Sequence, residues 1–127
     1  DEVYIGSCTN GSLEDLKAAA DILRGKKVAN HVRVIVVPAT NTVFKEAIEK
    51  GYIKDFIEAG CVISHPCCGL CCGMPYGLMY DDERILLTAN RNFIGRQGTK
   101  KTLGYLSSPA VAAATALTGV VTDPRTL

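Results

Sequence analysis

Short β-branched apolar runs alternate along this chain with segments whose apolar residues recur every three or four positions. A continuously apolar run suits a strand covered on both faces, and a three-to-four repeat suits a helix with one buried stripe. "VYIGS" (residues 3–7) reads as the first strand. "SLEDLKAAADILRG" (12–25) then reads as a helix, with Leu13, Leu16, Ala19, Ala20 and Leu23 forming its stripe. Ser12 suits the N-cap, and Glu14 and Asp15 place anions in the first turn, where the helix dipole favours them. "RVIVVPA" (33–39) predicts a second strand, "TVFKEAIEKG" (42–51) and "IKDFIEAG" (53–60) two helices, and "CVIS" (61–64) a brief strand. "RILLTA" (84–89) and "TLGYLS" (102–107) predict two more strands. "SPAVAAATALTG" (108–119) predicts a last helix with Ser108 as N-cap, Pro109 at its first position and Gly119 after its end.

Strands alternating with helices predict an α/β fold, a mainly parallel sheet with helices on both faces in three α/β/α layers. Ligands of such folds sit beyond the carboxyl ends of the strands. The chemistry-bearing residues fall there: "CTN" after the first strand, "PATNT" after the second, "HPCCGLCCG" after the third, "NRNFIGR" after the fourth and "SSPA" after the fifth. The helix-to-strand connections are plain by comparison.

A length of 127 residues suits one domain with one core, spanning 1–127. A net charge of +1 gives no electrostatic pull towards nucleic acid or an acidic membrane surface, and neither is expected as a partner. No apolar run approaches the roughly 18 residues of a membrane span. The opening "DEVYIGS" has no start methionine and no signal peptide, which points to a piece of a longer chain.

Six cysteines change the picture. Three disulfides are one reading, but a domain of this length needs no staples, and neighbouring cysteines in a tight Gly-rich loop bridge only with strain. Metal or cluster ligation in a reducing cytoplasm fits better. Cys68 and Cys71 form a C-x-x-C pair. Cys67 with Cys71, and Cys68 with Cys72, are alternative pairs at C-x-x-x-C spacing. Cys8, directly after the first strand, comes to the same sheet edge and is the obvious further donor. Three chemistries compete. A closed structural zinc site would take Cys8, Cys68, Cys71 and either His65 or another cysteine. A thioredoxin-like dithiol would need no Cys8 and would come earlier in the chain. An iron–sulfur cluster held by three thiolates would leave one iron open to substrate. Cys61 reads as a buried strand residue.

Arg91 and Arg96 stand together in "NRNFIGRQG". Guanidinium groups grip carboxylates in bidentate fashion, Asn90 and Asn92 add neutral hydrogen-bonding groups, and two such cations beside an open iron would suit a di- or tricarboxylate.

"IGSCTNGSLEDL", "HPCCGLCCG", "NRNFIGRQG" and "YLSSPAVAAATALTG", in this order and at these spacings, resemble the third domain of the aconitase superfamily. Within it they are most similar to the large subunits of 3-isopropylmalate dehydratases and homoaconitases, over essentially the whole chain. The resemblance implies a [4Fe–4S] cluster held by Cys8 of Ser-Cys-Thr-Asn and by Cys68 and Cys71, a register anchored on Pro66 and Gly73. Cys67 and Cys72 depart from the family pattern. Arg91 and Arg96 are implied as substrate-carboxylate ligands, with Asn90 near the cluster. The implied reaction moves a hydroxyl between neighbouring carbons of a 2-hydroxy di- or tricarboxylate by dehydration and rehydration. The proton-abstracting serine of the family lies in a swivelling domain or a separate small subunit. The rest of the large subunit and that small subunit are therefore the implied partners, and the chain by itself is expected not to turn over.

Overall fold

The chain is described by a computed structural model over residues 1–73 and 76–127. Strand β1 (Glu2–Gly6) occupies the middle of the sheet, and every one of its side chains is buried. It pairs in parallel with β2 (Arg33–Val37) on one side and with β4 (Arg84–Leu87) on the other. β3 (Val62–Ile63) extends the sheet beyond β2, and β5 (Leu103–Leu106) extends it beyond β4, giving the order β3-β2-β1-β4-β5, parallel throughout.

Helices α1 (Leu13–Leu23), α2 (Asn41–Glu49), α3 (Tyr52–Ala59) and α4 (Pro109–Thr118) supply the cover. α1 opens with a reciprocal capping box, in which the Ser12 hydroxyl accepts from the Asp15 amide and the Asp15 carboxylate accepts from the Ser12 amide. Its predicted stripe is the buried one: Leu16, Ala19, Ala20 and Leu23 are inaccessible. They meet Val3, Ile5, Val34 and Val36 of the sheet, Phe56 of α3, and Ala112, Ala113 and Ala116 of α4.

The α/β class and the parallel sheet are as predicted, but all four helices pack on one face of the sheet. Parallel crossovers are right-handed, so the path from β3 back across the sheet to β4 must cover the face opposite to the one crossed between β1 and β2. That path is residues 64–83, where the periodic apolar signal is absent. Among its described residues the one helical element is the short 3-10 turn Gly69–Cys72. Its Leu70 joins Tyr4, Ile35, Val37, Met79, Ile85, Leu87 and Ala89 in a second, smaller core. The cysteine turn is therefore also a structural lid on the sheet.

Glu2 lies fully buried on this second face, its Oε2 accepting from Arg33 Nε at 3.1 Å while Oε1 has no partner among the described residues. Burial pushes its carboxyl up from 4.5 to about 7, against the pull of Arg33. A carboxyl raised in the folded state favours folding below its unfolded value and loses that contribution as pH climbs through the folded one. Stability is thus predicted to fall by on the order of 3 kcal/mol as pH rises from about 4.5 through 7 through this group. Urea titrations across that range should show the slope, and Glu2→Gln should flatten it. Among the described residues no helix is long and apolar enough to cross a membrane.

Candidate metal centre

The chain turns sharply as it leaves β1. Gly6 has φ 110° and Ser7 φ 131°, a region that costs a residue with a side chain of order 1–3 kcal/mol. A Cβ at Gly6 would overlap the Val37 carbonyl oxygen, so only glycine fits. The strain at buried Ser7 is held by its amide donating to Val37 O at 3.2 Å and by its hydroxyl accepting from the Asn10 amide at 3.2 Å. The result is that Cys8 stands exposed at the carboxyl edge of the sheet.

The loop after β4 is tied to this one. Thr88 Oγ1 accepts from the Gly6 amide at 2.8 Å. Asn10 Nδ2 donates to the Thr88 carbonyl and to Asn90 Oδ1, the latter at 2.7 Å, and Asn90 Nδ2 donates to Thr9 Oγ1 at 2.9 Å. The segments "CTN" and "NRN", some 80 residues apart, thus form one hydrogen-bonded ledge.

The cysteine turn leans on the same strand. The Tyr4 hydroxyl donates to the Cys68 carbonyl at 3.5 Å, and a Cβ at Gly69 would overlap that hydroxyl. The Cys71 amide donates to Cys68 O at 3.2 Å, and Cys72 Sγ donates to Gly69 O at 3.3 Å. Cys68 and Cys72 are exposed, whereas Cys67 and Cys71 are half-buried against the smaller core. The neighbouring Cys8 thiol, through its charge and its hydrogen-bonding capacity, pushes the Cys68 thiol upward, with Cys72 and then Cys71 adding to the effect. Five thiols, at residues 8, 61, 67, 68 and 71, are free, which excludes three disulfides.

Of the three sulfurs singled out from the sequence, Cys8 and Cys68 are near enough for one to perturb the other, while Cys71 stays half-buried against the core. Among the described residues no three His, Cys, Asp or Glu side chains are gathered closely enough to hold a metal ion. The donor set on offer is all thiol, which suits a soft iron or zinc centre. His65 packs edge-on against Phe44, ring centroids 5.6 Å apart. Burial pushes the Cys61 thiol up to about 12, so it stays protonated and unreactive.

Arg91 and Arg96 meet over one ring. Their guanidinium carbons lie 6.0 and 5.0 Å from the Phe93 centroid. Among the described residues neither has a carboxylate partner. The Arg96 carbonyl also lies against Gly73, where the cysteine turn ends. Phe93 as the platform and Tyr4 as the prop were not singled out from the sequence; "NRNF" held the first in plain view, and nothing local marks the second. A cavity of about 390 Å³ at the opposite ends of the strands, bordered by His31, Arg84 and Val121, lies away from these loops.

A family model described as the aconitase family (aconitate hydratase) matches residues 1–119. The chain belongs to the aconitase family. Among aconitase-family proteins it is 54% identical, over 125 residues, to a protein of Archaeoglobus fulgidus named 3-isopropylmalate dehydratase large subunit 1, covering 98% of this chain and 30% of that one. It is 53% identical over all 127 residues to the 3-isopropylmalate dehydratase large subunit of Nitratiruptor sp., and 55% over 125 residues to that of Clostridium botulinum. This aconitase-family chain thus spans about 30% of the length of the curated relatives it matches.

Proposed function

We propose that this chain is the cluster- and substrate-binding domain of a hydro-lyase of the 3-isopropylmalate dehydratase type, in which Cys8, Cys68 and Cys71 hold a [4Fe–4S] cluster. The observation that supports the reading most is the ledge that ties the loop of Cys8 to the loop that sets Arg91 and Arg96 over one ring. A cluster of this kind supplies a Lewis-acidic iron that polarises the leaving hydroxyl of a 2-hydroxy acid. Arg91 and Arg96 grip the carboxylates of that acid, held apart and aligned by the Phe93 ring. Asn90 is held on the ledge by hydrogen bonds to Asn10 and Thr9. Ligation by Cys71 requires its side chain to turn from the smaller core towards the Cys8–Cys68 pair.

The proton-abstracting base comes from another part of the assembly, the remainder of the large subunit or a small subunit implied by the relatives' names. The free thiols belong in a reducing compartment, and we assign the chain to the cytoplasm. Homocitrate and citrate carry carboxylates that the same arginines could hold, so homoaconitase or aconitase chemistry is the neighbouring reading.

The test is binding, since turnover by this chain alone is not expected. Chain loaded anaerobically with iron and sulfide, then reduced, should change its electron spin resonance spectrum when 2-isopropylmalate is added. Arg91→Ala and Arg96→Ala should each weaken that binding by about 10- to 100-fold, the worth of a charge-assisted carboxylate contact. An unchanged spectrum in the presence of saturating hydroxy acid contradicts the assignment.

A further inference from the structure

The helices leave part of their own face of the sheet bare. α1 and α4 pack over β1, and α3 packs over β3, while among the described residues no helix packs comparably over β4 or β5. The handedness of the connections explains this. The steps from β1 to β2 and from β2 to β3 run one way across the sheet and carry α1, α2 and α3 on one face. The steps from β3 to β4 and from β4 to β5 run the other way, so right-handed crossovers put their connections on the opposite face. No connection between strands of this chain therefore covers β4 and β5 on the helical face. Only α4, which follows β5, returns to that face, and it packs against α1 and β1. What remains is a groove of about 390 Å³ over β4 and β5, beside the end of α4. Leu86 and Tyr105, register partners on β4 and β5, line it together with Val120 and Val121, which follow α4. Tyr105, Val120 and Val121 are exposed. Arg84 also borders the groove, and among the described residues its guanidinium has no carboxylate partner.

We propose that this groove is the docking site for an amphipathic helix from the remainder of the large subunit, with an apolar face turned to Leu86, Tyr105, Val120 and Val121 and a carboxylate set against Arg84. The inference rests on the reading of the chain as a segment of such a subunit. The chain spans about 30% of the length of the large subunits it matches, so those proteins hold ample further chain to supply the helix. A helix is the fitting occupant because the faces of parallel sheets are covered by helices. Docking withdraws Tyr105, Val120 and Val121 from water, which the hydrophobic effect favours. A carboxylate opposite Arg84 completes an ion pair that this chain leaves open and fixes the register of the helix in the groove.

Hydroxyl-radical footprinting read by mass spectrometry tests this on three samples: this chain, the intact large subunit, and the large subunit with its small subunit. Tyr105, Val120 and Val121 should be modified at least about tenfold more slowly in the intact large subunit alone than in this chain, because a packed interface core excludes water as a protein interior does. Equal rates in the two overturn the proposal. Protection that appears only when the small subunit is added also overturns it, and gives the groove to that subunit. Protection in this chain that grows with its concentration gives the groove to a second copy, and likewise overturns it. Arg84→Glu reads the ion pair. It sets like charges together and should raise the modification of Tyr105 and Val121 in the intact large subunit at least about tenfold, while Arg84→Lys leaves it low. Protection that Arg84→Glu does not change overturns the pairing. The cluster reading fails separately: an intact large subunit that takes up no iron and sulfide contradicts that reading, whatever the footprint shows.

Discussion

Cys68→Ser should abolish iron–sulfur loading while leaving the fold intact. Cys68 is exposed, caps the 3-10 turn through its backbone and has its thiol perturbed chiefly by Cys8. Its side chain therefore contributes little to packing, and in the proposed cluster its role is ligation. The hydroxyl that replaces it is a harder donor that stays protonated near neutral pH, so it cannot substitute for a thiolate. Visible absorbance and bound sulfide after anaerobic loading should drop to background, with circular dichroism unchanged. Cys61→Ala is the matched control, because Cys61 is buried and its thiol is pushed up to about 12. It should load normally. Loading retained by Cys68→Ser and lost by Cys61→Ala would reverse the assignment of roles.

Gly6→Ala should be the most damaging single methyl in the chain. The added carbon would overlap the Val37 carbonyl oxygen, which also accepts the Ser7 amide, at a backbone φ of 110°. Neither partner can yield, since both are backbone of paired central strands. Overpacking and a disallowed φ together cost about 3 kcal/mol or more, a large part of an ordinary domain's stability. Urea denaturation should show that loss, and the variant should load cluster poorly even where it folds, because the turn that presents Cys8 is displaced. Stability within about 0.5 kcal/mol of wild type would show that the turn is more pliable than this.

Most of the sheet and its helices could be read from periodicity. The stripe of α1 and its Ser12 cap, and the Ser108–Pro109 start of α4, form as their local chemistry dictates. The predicted strands at 61–64 and 84–89 are shortened to Val62–Ile63 and Arg84–Leu87. The first is an edge strand with one short neighbour to pair, and in the second Thr88 leaves the strand to serve the Gly6 turn. The second face was not legible as loop, because the alternation rule says that a parallel sheet is covered on both sides and does not say by what. The same gap affects the sulfurs. Spacing brings Cys68 and Cys71 into one turn, but which thiols face outward depends on how Leu70 anchors that turn over Tyr4, a contact between residues 66 apart that no local pattern carries. Likewise "NRNF" announces two arginines and a ring, and only the fold places both cations over it.

The proposed convergence of residue 8 with the 68–71 turn on a single iron–sulfur centre is tested most directly by counting metal. The chain is refolded without metal and offered iron with sulfide, in parallel with zinc, under anaerobic conditions. The predicted result is about four iron and four sulfide per chain, with zinc bound only weakly. Stoichiometric zinc held through dialysis, with no uptake of iron and sulfide, would contradict it and identify a closed structural site in its place.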